Sequence, residues 1–199
     1  MNKVIATSLA LIALFVSNGY AQVAPEKNLS IQASSDAIVL IGQNSSDSQF
    51  GPYFGGSVGY GLGYGVTVFV ESGYGWTTFE SDDQLKLVQI PVLGGVTYNF
   101  GQLFDSKIVQ PYLGASAGAF TYMLQQDGNT VSELDLEQNT TNFGVEGLVG
   151  VNFRINDNVA IDVRGKIDHV FSKQDNPGLE SQEWTNVGVG GGVSYSFSL

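Results

Sequence analysis

The residues best equipped for chemistry gather in the last third of the chain. Asp162, Arg164, Lys166 and Asp168 recur at alternate positions, and His169 directly follows Asp168. An acid beside a histidine can orient a general base, provided a nucleophile lies within hydrogen-bond reach. No GxSxG motif accompanies the pair, which leaves His169 to be read as a histidine at a membrane interface. It is the single histidine, and the chain has no cysteine. Thiolate metal sites, disulfides and His-rich zinc or copper sites are therefore excluded, and no cofactor is expected. The glycine runs GYGLGYG (59–65) and GVGGG (188–192) lack the Lys-Ser/Thr ending of a phosphate loop. Acidic segments are a third candidate: Asp82 with Asp83, and Glu133, Asp135 and Glu137. Carboxylates suit calcium, but no EF-hand spacing occurs, so a solvated acidic rim is the plainer reading. Eight Lys+Arg against 19 Asp+Glu give a net charge of −11, which would repel phosphate backbones and speaks against a nucleic-acid partner.

The elements that must position these groups are strands. The N-terminus comes first: Lys3, an apolar run over 4–16 and Gly19-Tyr20-Ala21 form a signal-peptide pattern over 1–21. The apolar run is too short for a spanning helix, and no later stretch supplies about 18 consecutive apolar residues. Beyond it the chain alternates. Over Trp184–Leu199, Val187, Val189, Val193, Tyr195, Phe197 and Leu199 share one face, while Gly188, Gly190, Gly192, Ser194 and Ser196 share the other. A strand separates such sets and a helix mixes them. The same test marks Phe50–Leu62, Tyr64–Phe79, Lys86–Phe100, Val109–Leu124, Asn142–Arg154 and Asn158–Ser172. In Val109–Leu124 the facing stays open, because Leu113, Ala115, Ala117 and Ala119 compete with Tyr112, Phe120 and Tyr122. A fainter strand lies at Asp36–Ile41, preceded by an irregular lead-in over 22–35, and makes eight with the others. Turns such as Leu62-Gly63 and 155–158 are short. The segments 43–49, 80–84, 125–138 and 173–183 are mostly longer and more polar.

A soluble β-sandwich also alternates, but it turns its polar face to water. Here the polar faces are rich in Gly, Ser and Ala, which weaken a water-facing sheet yet suit the crowded inside of a narrow barrel. Aromatics fall near strand ends, as membrane interfaces favour. They are Tyr60, Tyr64, Tyr98, Phe100, Phe153, Tyr195 and Phe197 at one end, and Phe50, Tyr74, Trp76, Phe79, Phe171 and Trp184 at the other. The expected fold is all-β: an eight-stranded antiparallel transmembrane β-barrel over 36–199, with short periplasmic turns and longer extracellular loops. The valine-rich face then meets outer-membrane lipids. Glu71, Glu146, Asp162, Arg164, Lys166 and Asp168 point inward, where buried charges must pair. Arg164 and Lys166 are expected to bridge Glu71, Glu146 and Asp162 in a side-chain-filled lumen.

QIPVLGGVTYNFG (89–101), VQPYLGASAGAF (109–120), GVEGLVGVNFRINDNVAIDVRGKI (144–167) and VGVGGGVSYSF (187–197) give the chain a family look. It resembles the small outer-membrane β-barrel proteins related to OmpX and the OmpA transmembrane domain. The resemblance covers roughly Phe50 to the end and implies an outer-membrane location. The segment Val187–Leu199 is similar to the C-terminal signal read by barrel-assembly machinery, although Ser198 and Leu199 follow its last aromatic. The expectation is a monomer without catalytic activity, with a structural or surface-interaction role such as envelope integrity, or adhesion through acidic loops. A small porin is the alternative, and a lipid A-modifying enzyme the distant one.

Overall fold

A computed structural model describes residues 27–41, 48–80, 82–101, 106, 108–126, 129–130, 139–171 and 184–198. The strands are β1 (Asn28–Ile41), β2 (Gly51–Gly63), β3 (Val66–Phe79), β4 (Asp82–Asn99), β5 (Val109–Gln126), a two-residue β6 (Asn129–Thr130), β7 (Asn139–Arg154), β8 (Val159–Val170) and β9 (Trp184–Ser198). All neighbours run antiparallel. The order β4-β3-β2-β1-β9-β8-β7-β5 is closed by β4 pairing with β5, so eight strands form a barrel and β6 only extends β5 at its rim. Closure satisfies every ladder without helices, as a hydrocarbon surrounding demands. The strands of the ring are 12 to 18 residues long, enough to cross a bilayer at a tilt.

Alternation decides which side each residue occupies, and the outcome is an inverted core. Val70, Val92, Val149, Val163, Val189 and Val193 stand on the outer surface, each 51–60 % exposed. Arg164 and Lys166 are inside, 4 % and 5 % exposed. A water-soluble sandwich would reverse these values.

The first strand departs from expectation. β1 begins at Asn28, inside the stretch read as an irregular lead-in, and pairs with β9 from Asn28↔Ser198 to Ile41↔Thr185. Its early residues are Leu29, Ser30, Ile31, Gln32, Ala33 and Ser34. Weak hydrophobicity hid the alternation, yet a closed barrel needs this strand at full length to join β2 to β9. The β2–β3 turn is also displaced. It is Tyr64-Gly65 rather than Leu62-Gly63, with φ of 54° and 80°. A type I′ hairpin requires positive φ at both loop residues, and the register shift at Gly63 (φ 92°) absorbs the extra residue. Asp82 and Asp83 head β4 instead of lying in a loop, since Asp82 pairs with Phe79 across a short turn. In β5 the open question is settled: Leu113, Ala115, Ala117 and Ala119 face outward, and Tyr112, Phe120 and Tyr122 are buried within.

Rings of aromatics mark both ends of the outer wall. Tyr98 meets Phe100 edge-on at 4.9 Å and Tyr195 meets Phe197 at 4.7 Å, all at the short-turn end. Phe54, Tyr74 and Trp76 form a chain of tilted contacts at 5.8–6.4 Å toward the loop end, where Phe143 stacks on Phe171. Phe79 and Trp184 do not belong to this ring. They pack against an interior cluster of Leu40, Leu87, Leu93, Phe120, Tyr122 and Val170. Proximity to a strand end suggested the interface, but their phase points them inward.

Candidate functional site

The chemistry-bearing side chains sit midway along the lumen, where β1, β3, β7 and β8 contribute to one buried network. Strand alternation brings Asp162, Arg164, Lys166 and Asp168 to the inner wall as a vertical ladder on β8. Arg164 is the hub. Its Nε and Nη2 donate to the two oxygens of Asp36 at 3.2 and 2.9 Å, and Nη2 also donates to Ser34 Oγ at 2.7 Å. Its Nη1 reaches Glu71 Oε2 at 3.4 Å. The two-pronged grip on Asp36 is the geometry a guanidinium makes best. Lys166 Nζ lies 3.6 Å from Asp36 Oδ2 and 3.9 Å from Glu146 Oε2, and sits 3.7 Å over the ring of Tyr53. That cation–π contact compensates for its loose ion pairs.

Of the carboxylates expected to pair, Glu71 lies against Arg164 and Glu146 near Lys166. Asp162 is held otherwise: Tyr112 Oη donates to its Oδ1 at 2.9 Å and Gln32 Nε2 to its Oδ2 at 3.0 Å. The residue that takes its expected place is Asp36, the only carboxylate meeting both cations among the described residues. Sequence reading missed Asp36 as a member because it stood at the border of the faintest strand. The signal was present: Gln32, Ser34 and Asp36 share one phase of β1. Tyr53 was missed as well. Its Oη donates to Glu71 Oε1 at 3.3 Å, and Ser116 Oγ donates to Glu146 Oε1 at 2.8 Å.

Inward glycines make room for the aromatic members. A Cβ added at Gly73 or Gly75 would strike the ring of Tyr53, and one at Gly150 would lie 2.6–2.7 Å from the ring of Tyr112. Gly144 bears the same relation to Phe120, at 2.7 Å. Glycine on the inner wall is thus the counterpart of a ring laid flat across the neighbouring strand.

The network divides the lumen. On its loop side, Tyr122 stacks on Trp184 and on Phe120 at 6.1 and 6.5 Å, and Asn186 Nδ2 donates to Gln89 Oε1 at 2.9 Å. That half is packed with buried side chains. On the short-turn side lies a cavity of about 630 Å³, lined by hydroxyls and amides such as Ser57, Thr67, Thr97, Gln110, Asn152 and Ser194. Its floor includes Glu71, Tyr112 and Arg164.

The acid–histidine pair is split by the wall. Asp168 points inward and is buried, while His169 faces out, its Nδ1 3.1 Å from Thr185 Oγ1 and its ring edge-on to Phe171. Glu133, Asp135 and Glu137 lie outside the described residues, as does the 1–21 segment. With Asp82 and Asp83 on β4, no acidic loop site can be assembled from the described residues.

The sequence model for the outer membrane protein beta-barrel domain matches residues 6–197. Neisserial surface protein A is similar in structure, with a TM-score of 0.63 and 21% identity over 85% of this chain and 97% of that one. The attachment invasion locus protein Ail of Yersinia pestis matches with a TM-score of 0.50 and 15% identity over 86% of this chain and 99% of its own. Ail has also been solved with the heparin analogue sucrose octasulfate. OprG of Pseudomonas aeruginosa gives 0.52 and 12% over 88% and 98%. At these identities the likeness concerns the fold. No curated protein matches the chain.

Proposed function

The chain belongs to the outer membrane protein beta-barrel domain family, and on that premise we propose that it resides in a Gram-negative outer membrane as a monomeric, non-conducting, non-enzymatic barrel. Its role on this reading is structural or interactive, in envelope integrity or in contacts made by the loops. The observation that carries the reading is the cross-section at Arg164. There a guanidinium, an ammonium and several carboxylates interlock beneath a layer of Phe120, Tyr122 and Trp184. An eight-stranded barrel is about wide enough to be filled by side chains, and this layer supports a plugged lumen. Ions crossing this layer would have to break paired buried charges, at a cost of several kcal/mol.

Outer-membrane lipids would contact the valine face, and the assembly machinery would engage β9. The acidic balance argues against a polyanionic partner of the kind seen with Ail; cationic or cation-bridged surfaces fit better. Separation of Asp168 from His169 across the wall supports the absence of hydrolytic chemistry. The hollow short-turn half favours one second reading, a narrow pore whose remaining barrier is the plug. Planar bilayer recordings of the purified barrel separate the two. The plugged reading expects no stable conductance steps, and sizeable steps would transfer the assignment to a pore. Fractionation tests the location: the protein should appear with the outer membrane and show heat-modifiable gel mobility.

A further inference from the structure

Among the described residues, inward carboxylates outnumber inward cations. Asp36, Glu71, Glu146, Asp162 and Asp168 are all buried, against Arg164 and Lys166. Asp36 meets both cations, Glu71 has Arg164 and Tyr53, and Asp162 has Tyr112 and Gln32. Glu146 and Asp168 remain. They are direct partners across the β7–β8 ladder, and both point into the filled half. Side chains directly opposite on one face stand about 5 Å apart at Cβ, and like charges there repel. Among the described residues Glu146 accepts one hydrogen bond, from Ser116, and its other oxygen is 3.9 Å from Lys166. Asp168 is 2 % exposed, and its Oδ1 is buried with no hydrogen-bond partner among the described residues. A carboxylate so placed costs several kcal/mol unless something supplies positive charge or a donor.

We propose that Glu146 and Asp168 form a proton-binding site, holding one proton between them as a carboxyl–carboxylate hydrogen bond that serves as the third cation of the plug. The proton supplies the donor that Asp168 Oδ1 otherwise lacks and turns repulsion across the ladder into attraction. The titratable and charged groups that act on the pair are Asp36 on β1, Tyr53 on β2, Glu71 on β3, Tyr122 on β5 and Lys166 on β8. Of the two cations only Lys166 contacts Glu146. Losing the proton therefore leaves two adjacent carboxylates against one loosely held ammonium, and the filled half should loosen as pH rises. Either member can be replaced by its amide, which keeps shape and hydrogen-bonding capacity while removing the titration.

The test combines infrared spectroscopy with thermal unfolding of the folded barrel in lipid. Near neutral pH the wild-type protein should show a protonated-carboxyl C=O band that disappears in Asp168→Asn. Its Tm should fall as pH rises from about 5 to about 8. Asp168→Asn should match the wild-type Tm at the lower pH and lose most of the decline; a decline that persists in full in this variant would overturn the proposal. Glu146→Gln provides the second variant should Asp168→Asn not fold. Absence of the band from the wild-type barrel would overturn the proposal. So would a Tm that falls on exposure to a chelator or on removal of sodium, since the site would then hold a metal cation.

Discussion

The two halves of the lumen share one wall but are furnished differently. Toward the loops, β1, β4, β5 and β8 turn Leu40, Leu87, Leu93, Phe120, Tyr122 and Val170 inward, and Trp184 of β9 packs against them. Toward the short turns, the same wall presents Ser, Thr, Asn, Gln and Gly, and about 630 Å³ stays open. Between them lies the Arg164 network. The difference shows that a narrow barrel does not need a uniform core. Its outer surface gains stability from lipid along its whole height, so the inside can be dry where it must seal and wet where it need not. Charges can then sit at the boundary because Arg164, Lys166, Asp36, Glu71 and Asp162 are each tied to two or more partners.

The sharpest way to break this division is at its boundary. Arg164→Ala should have the largest effect, because it takes the two-pronged partner from Asp36 and, among the described residues, the one cation from Glu71. A loss of about 3–5 kcal/mol is expected, read as a collapse of the urea midpoint or of the heat-modifiable folded band. Next comes Tyr53→Ala. Tyr53 is fully buried and covers Lys166, so its removal should cost about 3–5 kcal/mol and leave a void beside Lys166. Bilayer recordings of this variant should still show no stable steps, because the layer of Phe120, Tyr122 and Trp184 remains. Gly150→Ala is smaller, at about 1–3 kcal/mol, because its methyl meets the Tyr112 ring. Its outward counterpart sharpens the contrast: a Cβ at Gly94 would meet nothing within 4 Å, and Gly94→Ala should stay within about 0.5 kcal/mol. Ser57→Ala, on the open half, should be just as mild in the same denaturation assay.

Much of the barrel was legible from alternation alone, because lipid and lumen impose opposite demands on successive residues. Seven strands announced themselves through Val, Ile and aromatic residues at every second place. β1 did not, since Ser30, Gln32, Ala33, Ser34 and Ser35 offer little contrast between its faces. The same loss hid Asp36. The inward phase of Glu71, Glu146, Arg164 and Lys166 could be read, but their partners could not, because pairing depends on which strands face each other across the lumen. Asp162 illustrates the point: Arg164 is two residues away on its own strand, yet its donors come from β1 and β5. Trp184 and Phe79 show a related limit. Nearness to a strand end does not say which side of the wall an aromatic occupies.

The account rests on lipid touching the valine face while water reaches the lower lumen. Because the chain contains no cysteine, spin labels can be placed singly at Val58→Cys and Ser57→Cys, adjacent on β2 and on opposite sides of the wall. In bilayers, collision with oxygen should dominate at position 58 and collision with a water-soluble nickel chelate at position 57. A label at 58 that neither reagent reaches would place Val58 in a dry protein core and contradict the barrel.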